Sequence, residues 1–184
     1  MSGRVIVPTA RAIVLGEPGV LLMERRSRRG HYYSIPGGKI ERGEKPPDTI
    51  ERELKAETGI DLRVVCPLGA AAHRLSERRW RYHHFMLCLH LAGVASLQPD
   101  CAEASKTHEL YRPGWFNHSA FLDISSQLHP GHQIMSDIIA LLLSGRSDPA
   151  FSADFAAGLA AARSRGLELK HPKRVTKAVC SVEL

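Results

Sequence analysis

The sequence predicts an α+β fold, and three observations carry that expectation. Two aliphatic, β-branched runs, 4–15 (RVIVPTARAIVL) and 20–25 (VLLMER), flank the turn residues Glu17-Pro18-Gly19. A third run, 80–91 (WRYHHFMLCLHL), alternates as a strand does. Two segments carry helix punctuation: Pro46-Pro47 and Gly59 bracket one, and Pro130-Gly131 and Ser144-Gly145 bracket the other.

In chain order, Pro8 divides the first run, which predicts two short strands or one bulged edge strand. With 20–25 it forms a hairpin. A loop with Arg25, Arg26, Arg28 and Arg29 follows. Guanidinium groups match phosphate oxygens, so Arg25 or Arg26, at the strand end, is a candidate anion contact. Tyr32 and Tyr33 approach the Pro36-Gly37-Gly38 turn, where either ring is placed to stack on a ligand or to pack as core or edge.

After the first helix, 60–65 and 68–75 are extended, 76–79 is a hairpin turn, and 80–91 returns. One face of that strand is Phe85, Leu87, Leu89 and Leu91, expected as core; the other is mixed, with His84, Met86, Cys88 and His90. His83 and His84 point to opposite faces, which makes them structural or pocket-lining and not a metal pair. Residues 92–114 form a long polar loop carrying Glu103 and Glu109, followed by a short strand at Trp115-Phe116 and a cap at Asn117 or Ser119. An amphipathic helix is expected over 132–143, another helix over 150–165, and a tail at the end.

The chemistry concentrates in 38–60 (GKIERGEKPPDTIERELKAETGI). Ile50 and Leu54 make one narrow apolar stripe. At about 100° per residue, Glu57 falls beside Ile50 and Glu53 lies a little further round. Two carboxylates at the edge of a core are costly unless compensated. A divalent cation compensates them, because hard metals take oxygen ligands and an i,i+4 pair converges. The blander alternative is a solvated, salt-bridged helix face.

The fixed spacing Gly38, Glu44, Arg52-Glu53-Leu54, Glu57, Gly59, Ile60 resembles the Nudix box of the Nudix hydrolase family. One position departs: the family has Glu at position 56, and this chain has Ala56. The order of elements over 4–145 is similar to the same fold. The resemblance implies an α/β/α sandwich, a mixed sheet between helices, with a Nudix domain over 1–146 and a C-terminal helix with a flexible basic tail over 147–184. It implies metal-dependent hydrolysis of a pyrophosphate bond in a nucleoside diphosphate derivative: a nucleoside triphosphate, dinucleoside polyphosphate or nucleotide sugar. A binding or regulatory module without turnover is the alternative. Mg²⁺, or Mn²⁺, is the implied cofactor, held by Glu53, Glu57 and the Gly37 carbonyl. Arg52 would position the carboxylates through Glu44. Glu53 or the loop residue Glu109 would activate water, and Arg25, Arg26, Tyr33 and Gly38 would contact substrate. Ala56 removes an outer ligand, so fewer metal ions are expected.

Composition narrows the class. A hydrophobic fraction of 43% and a charged fraction of 24% over 184 residues are ordinary for a globular domain. Four dispersed cysteines without a Cys-x-x-Cys pair predict reduced thiols. No apolar run has the ~20 residues of a membrane helix, and Arg11 interrupts the N-terminal apolar run, against a signal peptide. These readings predict a cytoplasmic protein; the resemblance adds a small nucleotide as its substrate, and a homodimer is compatible with both. Of the net charge of +6, +4 lies in 163–184, so a nucleic-acid role rests on that tail alone.

Overall fold

A computed structural model describes residues 4–27, 30–99, 110–145, 151–169 and 171–182. Six strands, β1 (Val5–Gly16), β2 (Gly19–Ser27), β3 (Gly30–Ser34), β4 (Asp61–Arg74), β5 (Arg79–Ala92) and β6 (Leu110–Phe116), form one mixed sheet. Its order is β3-β2-β1-β5-β4, with β6 on β2. Only β1 and β5 are parallel. Among the described residues five α-helices accompany it: α1 (Pro46–Thr58), α2 (His118–Ile124), α3 (Ser136–Leu143), α4 (Phe151–Ser164) and α5 (Pro172–Cys180).

The alternation along β1 and β5 divides the core into two layers. Ala10, Ala12, Val14, Met86 and Cys88 face Ile50 and Leu54 of α1. Ile13, Leu15, Phe85, Leu87 and Leu89 face Phe121, Ile138, Ile139, Phe155 and Leu159. The sandwich expected from the sequence is therefore present. Each fully buried aliphatic side chain contributes roughly 2 kcal/mol relative to exposure.

Pro8 does not break β1. Its carbonyl accepts the Ile40 N–H, so its nitrogen faces the edge where that neighbour ends, and no ladder donor is missed. Pro67 likewise sits inside a continuous β4, among bulges at Val64/Cys66 and Pro67/Gly69. Both faces of β5 are buried at its centre, while Leu91, expected in the core, is 61% exposed near the strand end. The short strand expected at Trp115-Phe116 extends back to Leu110, and Pro113 is accommodated because β6 pairs only with β2. The segment before α3 is a 3-10 turn over Pro130–Met135, so the expected helix over 132–143 is α-helical only from Ser136.

The expectation of a loose basic tail is corrected. Val175 and Val179 of α5, with Leu167 and Val182, are buried in the same core as β4 and α4. The Ala70–Glu168 bridge and the Tyr82 hydroxyl donating to Glu168 bind this segment to the sheet. Its apolar residues fall three and four apart, which is enough for one buried stripe despite the flanking lysines and arginines.

Strand divergence positions the candidate site. β1 and β2 pair only beside their turn, at Leu15–Val20 and Gly16–Gly19, and then separate. The Pro36–Ile40 stretch takes the freed edge of β1: Ala12 N–H donates to the Pro36 carbonyl, Ala10 N–H to the Gly38 carbonyl, and Ile40 N–H to the Pro8 carbonyl. The Gly37-Gly38 turn is thereby fixed at the mouth of a cleft between the two halves of the sheet.

Candidate functional site

α1 begins where Pro46 and Pro47 occupy the first turn and the Asp48 carboxylate accepts the Lys45 N–H at 3.0 Å. It ends at Gly59, whose φ of 73° closes a left-handed cap. The buried stripe of the helix is Thr49, Ile50, Leu54, Glu57 and Thr58. Glu57 is therefore only 4% exposed, as the helical spacing predicts.

Glu44, Arg52 and Glu53 form one chain of charge-assisted hydrogen bonds. Arg52 Nε donates to Glu44 Oε1 at 2.6 Å, Nη2 to Glu44 Oε2 at 2.9 Å, and Nη1 to Glu53 Oε1 at 2.6 Å. Arg52 Nη2 also reaches the Lys39 carbonyl at 3.2 Å. Glu44 accepts further bonds from Thr49 Oγ1 and the Glu41 N–H. The Arg52 guanidinium is the main reason that its pKa falls to about 2. Those carboxylates push the Arg52 pKa upward in turn.

Both glycines of the turn are required. A Cβ on Gly37, at a φ of 124°, would lie 2.2 Å from the Ala10 carbonyl oxygen. A Cβ on Gly38 would lie 2.1 Å from Glu53 Cδ. The Glu53 carboxylate thus rests where any other residue would place its side chain.

Two carboxylates at i,i+4 are a donor set that fits a hard divalent cation. Among the described residues no three His, Cys, Asp or Glu side chains are grouped to hold a metal ion. The Gly37 carbonyl, expected as a further ligand, accepts Arg11 Nη1 at 2.6 Å. Ala56 is exposed and adds no donor.

The cleft beyond the turn encloses about 230 Å³. Thr9, Arg11, Arg25, Ser34, Lys39 and Tyr32 line it together with Arg79, Arg81, His129 and His132. Of the expected substrate contacts, Arg25 reaches it, with Nε donating to Ser34 Oγ at 3.1 Å and the guanidinium 4.4 Å over the Tyr111 ring. Arg26 points the other way and pairs with Glu24 at 3.4 Å. Tyr32 lines the cleft, whereas Tyr33 packs edge-on to Phe116 in the core. Glu109 and Glu103 lie outside the described residues.

Sequence reasoning missed Arg11, Arg79, Arg81, His129 and His132. The parallel register sets Arg81 beside Val7, His83 beside Thr9 and Phe85 beside Arg11, on one face. The available signal was the polar alternation of Thr9 and Arg11 inside an apolar run. Burial lowers the Arg11 pKa to about 10, and nearby Glu57 acts in the opposite direction. Burial also pushes His83 down to about 3 and His129 to about 4, with Arg11 and Arg81 contributing, so these rings are neutral at pH 7. His83 Nδ1 shares a hydrogen with Thr9 Oγ1 at 2.7 Å. His132 Nδ1 accepts the Ile35 N–H at 3.0 Å, which places its proton on Nε2.

Comparison with known proteins places the chain in a family and a fold. The NUDIX domain family model matches residues 6–142. A curated 8-oxo-dGTP diphosphatase of Proteus vulgaris is 34% identical over 62 residues, covering 34% of this chain and 55% of that protein. The NAD-capped RNA hydrolase NudC of Vibrio atlanticus is 26% identical over 122 residues, covering 65% of this chain and 40% of that protein. An RNA pyrophosphohydrolase of Marinomonas sp. is 33% identical over 86 residues, covering 45% and 53%. The matches thus span about half the length of these curated relatives. Among solved structures, the MutT NUDIX hydrolase of Burkholderia pseudomallei superposes with a TM-score of 0.57 at 23% identity, covering 73% of this chain and 98% of that one. The E. coli ORF135 protein gives 0.57 at 17% identity, covering 79% and 96%, and these likenesses concern the fold. Nudix hydrolases generally use divalent metal ions. With the box residues joined through Arg52 and the family model matched over residues 6–142, the chain belongs to the Nudix family.

Proposed function

We propose that this chain hydrolyses the pyrophosphate bond of a nucleoside diphosphate derivative. The observation that carries the reading is the Glu44–Arg52–Glu53 hydrogen-bond chain closing on Gly38. Such a chain holds a carboxylate in one orientation beside a turn that a phosphate can approach. Glu53 and Glu57 would hold a divalent cation, Mg²⁺ with Mn²⁺ as the alternative. When bound, that ion supplies charge neutralisation at the phosphate and a lowered pKa for the attacking water. Ala56 leaves fewer carboxylates for it, and fewer ions are expected than with a full set. Glu53 is the proposed proton acceptor, with Glu109 as the alternative. Arg52 is a positioning residue, and Glu44 anchors it. Arg25 would contact phosphate oxygens at the cleft.

Binding without turnover is the second reading. It is favoured by Ala56 and by the Arg11 hydrogen bond at the Gly37 carbonyl. A panel of nucleoside triphosphates, dinucleoside polyphosphates and nucleotide sugars, assayed with Mg²⁺ and with Mn²⁺ against E53Q, separates the two. Turnover abolished in E53Q supports hydrolysis, whereas intact binding with no turnover of any compound selects the second reading.

A further inference from the structure

Arg11 is 7% exposed, and its hydrogen-bond acceptors among the described residues are two backbone carbonyls. Nη1 donates to the Gly37 oxygen at 2.6 Å and to the Ile35 oxygen at 3.3 Å. A guanidinium this buried is ordinarily paired with a carboxylate. Arg11 forms no ion pair among the described residues. The largest electrostatic attraction on it comes from Glu57, which is buried on α1. Arg11 therefore engages, by contact or by charge, two groups expected to hold the divalent cation: the Gly37 carbonyl and the Glu57 carboxylate.

The Gly37 oxygen cannot turn to another partner. On either side of it, Ala12 N–H donates to the Pro36 carbonyl at 2.9 Å and Ala10 N–H to the Gly38 carbonyl at 3.0 Å. Just before it, the Ile35 N–H donates to His132 Nδ1 at 3.0 Å. Rotating the Gly37 peptide would strain these bonds, so a second partner must meet the oxygen where it already faces Arg11. A carbonyl oxygen has two lone pairs, and a cation could share it with the guanidinium. The two positive charges would then repel each other in a site shielded from water. If the guanidinium withdraws instead, its charge-assisted hydrogen bond is lost. Both routes cost the incoming cation affinity.

We propose that Arg11 is a positioning residue that acts through the Gly37 carbonyl, competing with the divalent cation for that oxygen so that the cation is held loosely. This rests on the reading that Glu53, Glu57 and the Gly37 carbonyl hold the cation. With Ala56 supplying no carboxylate, the contest at the remaining ligands carries more weight.

Mn²⁺ binding to the full chain without substrate, read from the paramagnetic resonance of the free ion, tests the competition. R11M removes both charge and donor, R11Q keeps an amide donor without the charge, and R11K keeps the charge. R11M is expected to bind Mn²⁺ about tenfold more tightly, the effect of one charge-assisted hydrogen bond. R11Q should show part of that gain, and R11K should remain within a factor of about three of the unaltered chain. A gain in affinity does not come from damage to the fold, and unfolding curves identify any variant that fails to fold. R11M/E57Q should lose the gain, which assigns it to the box. R81Q removes a charge from the same cleft but no bond to Gly37, and should change affinity by less than a factor of about two. Equal or weaker Mn²⁺ binding in R11M and R11Q overturns the competition and leaves the cation reading in place. An equal gain in R81Q, or a gain that survives E57Q, overturns it as well. Mn²⁺ bound by none of these proteins overturns both readings. Tighter Mn²⁺ in R11M, with no pyrophosphate compound hydrolysed, leaves the competition standing and ends the hydrolytic reading.

Discussion

On one side of the Gly37-Gly38 turn lies α1, where Glu44 and Glu53 share the Arg52 guanidinium and Glu57 is buried at the helix edge. On the other side lies a cleft lined by cations and neutral histidines. The first region is internally compensated, with charge answering charge over hydrogen-bond distances. In the second, burial is the main cause that lowers the Arg11, His83 and His129 pKa values, neighbouring arginines add to it, and Glu57 opposes it at Arg11. The first region is held by paired charges, whereas the second keeps its rings neutral by burial.

The largest expected effect comes from breaking the oriented side. E53Q should lower kcat by about 10³-fold, near 4 kcal/mol, if Glu53 takes the proton from water. G38A forces the Glu53 carboxylate from its seat and should cost about 10²-fold in kcat, with the melting temperature nearly unchanged. A steady-state assay beside a thermal melt checks both.

Away from both regions, V179A removes buried methyl groups from the shared core. It should destabilise the fold by about 2 kcal/mol in chemical denaturation. A tail lying loose on the surface would give no such change.

A further set of effects comes from pH, and they separate the regions by window. His83 and His129 have folded pKa values depressed to about 3 and about 4 from an ordinary 6.5. The unfolded chain therefore binds more protons, and stability falls as pH drops from 6.5 towards 4. Glu44 has a folded pKa of about 2 against an ordinary 4.5. Its contribution is present above pH 4.5 and is lost as pH falls towards 2. Denaturation curves at closely spaced pH values should show the first loss abolished in a variant lacking both histidines and the second in E44Q. One merged transition, insensitive to either change, would contradict the separation.

The box was legible in the sequence because its chemistry is local. Helical periodicity places Glu57 on the buried stripe, and the spacing of Gly38, Glu44, Arg52 and Glu53 lies within one turn and one helix. The strands over 4–15, 20–25 and 80–91, and one core face of the last, followed from β-branched content and alternation. The choice between Arg25 and Arg26, and between Tyr32 and Tyr33, was undecided, because neighbours on a strand face opposite ways and only the sheet says which way is in. The α5 helix was hidden by its lysines and arginines, although its valines kept a helical spacing.

By itself the sequence determined the α+β class, the caps of α1 and the set of carboxylates, since all of these depend on residues within a few turns of one another. Only the tertiary structure decided that Arg11, Arg81, Arg25 and His132 meet in one cleft. They come from β1, β5, β2 and the turn before α3, and it is parallel pairing and the splitting of β1 from β2 that bring them together. No local pattern records such a meeting, because its cause is the long-range closure of the sheet.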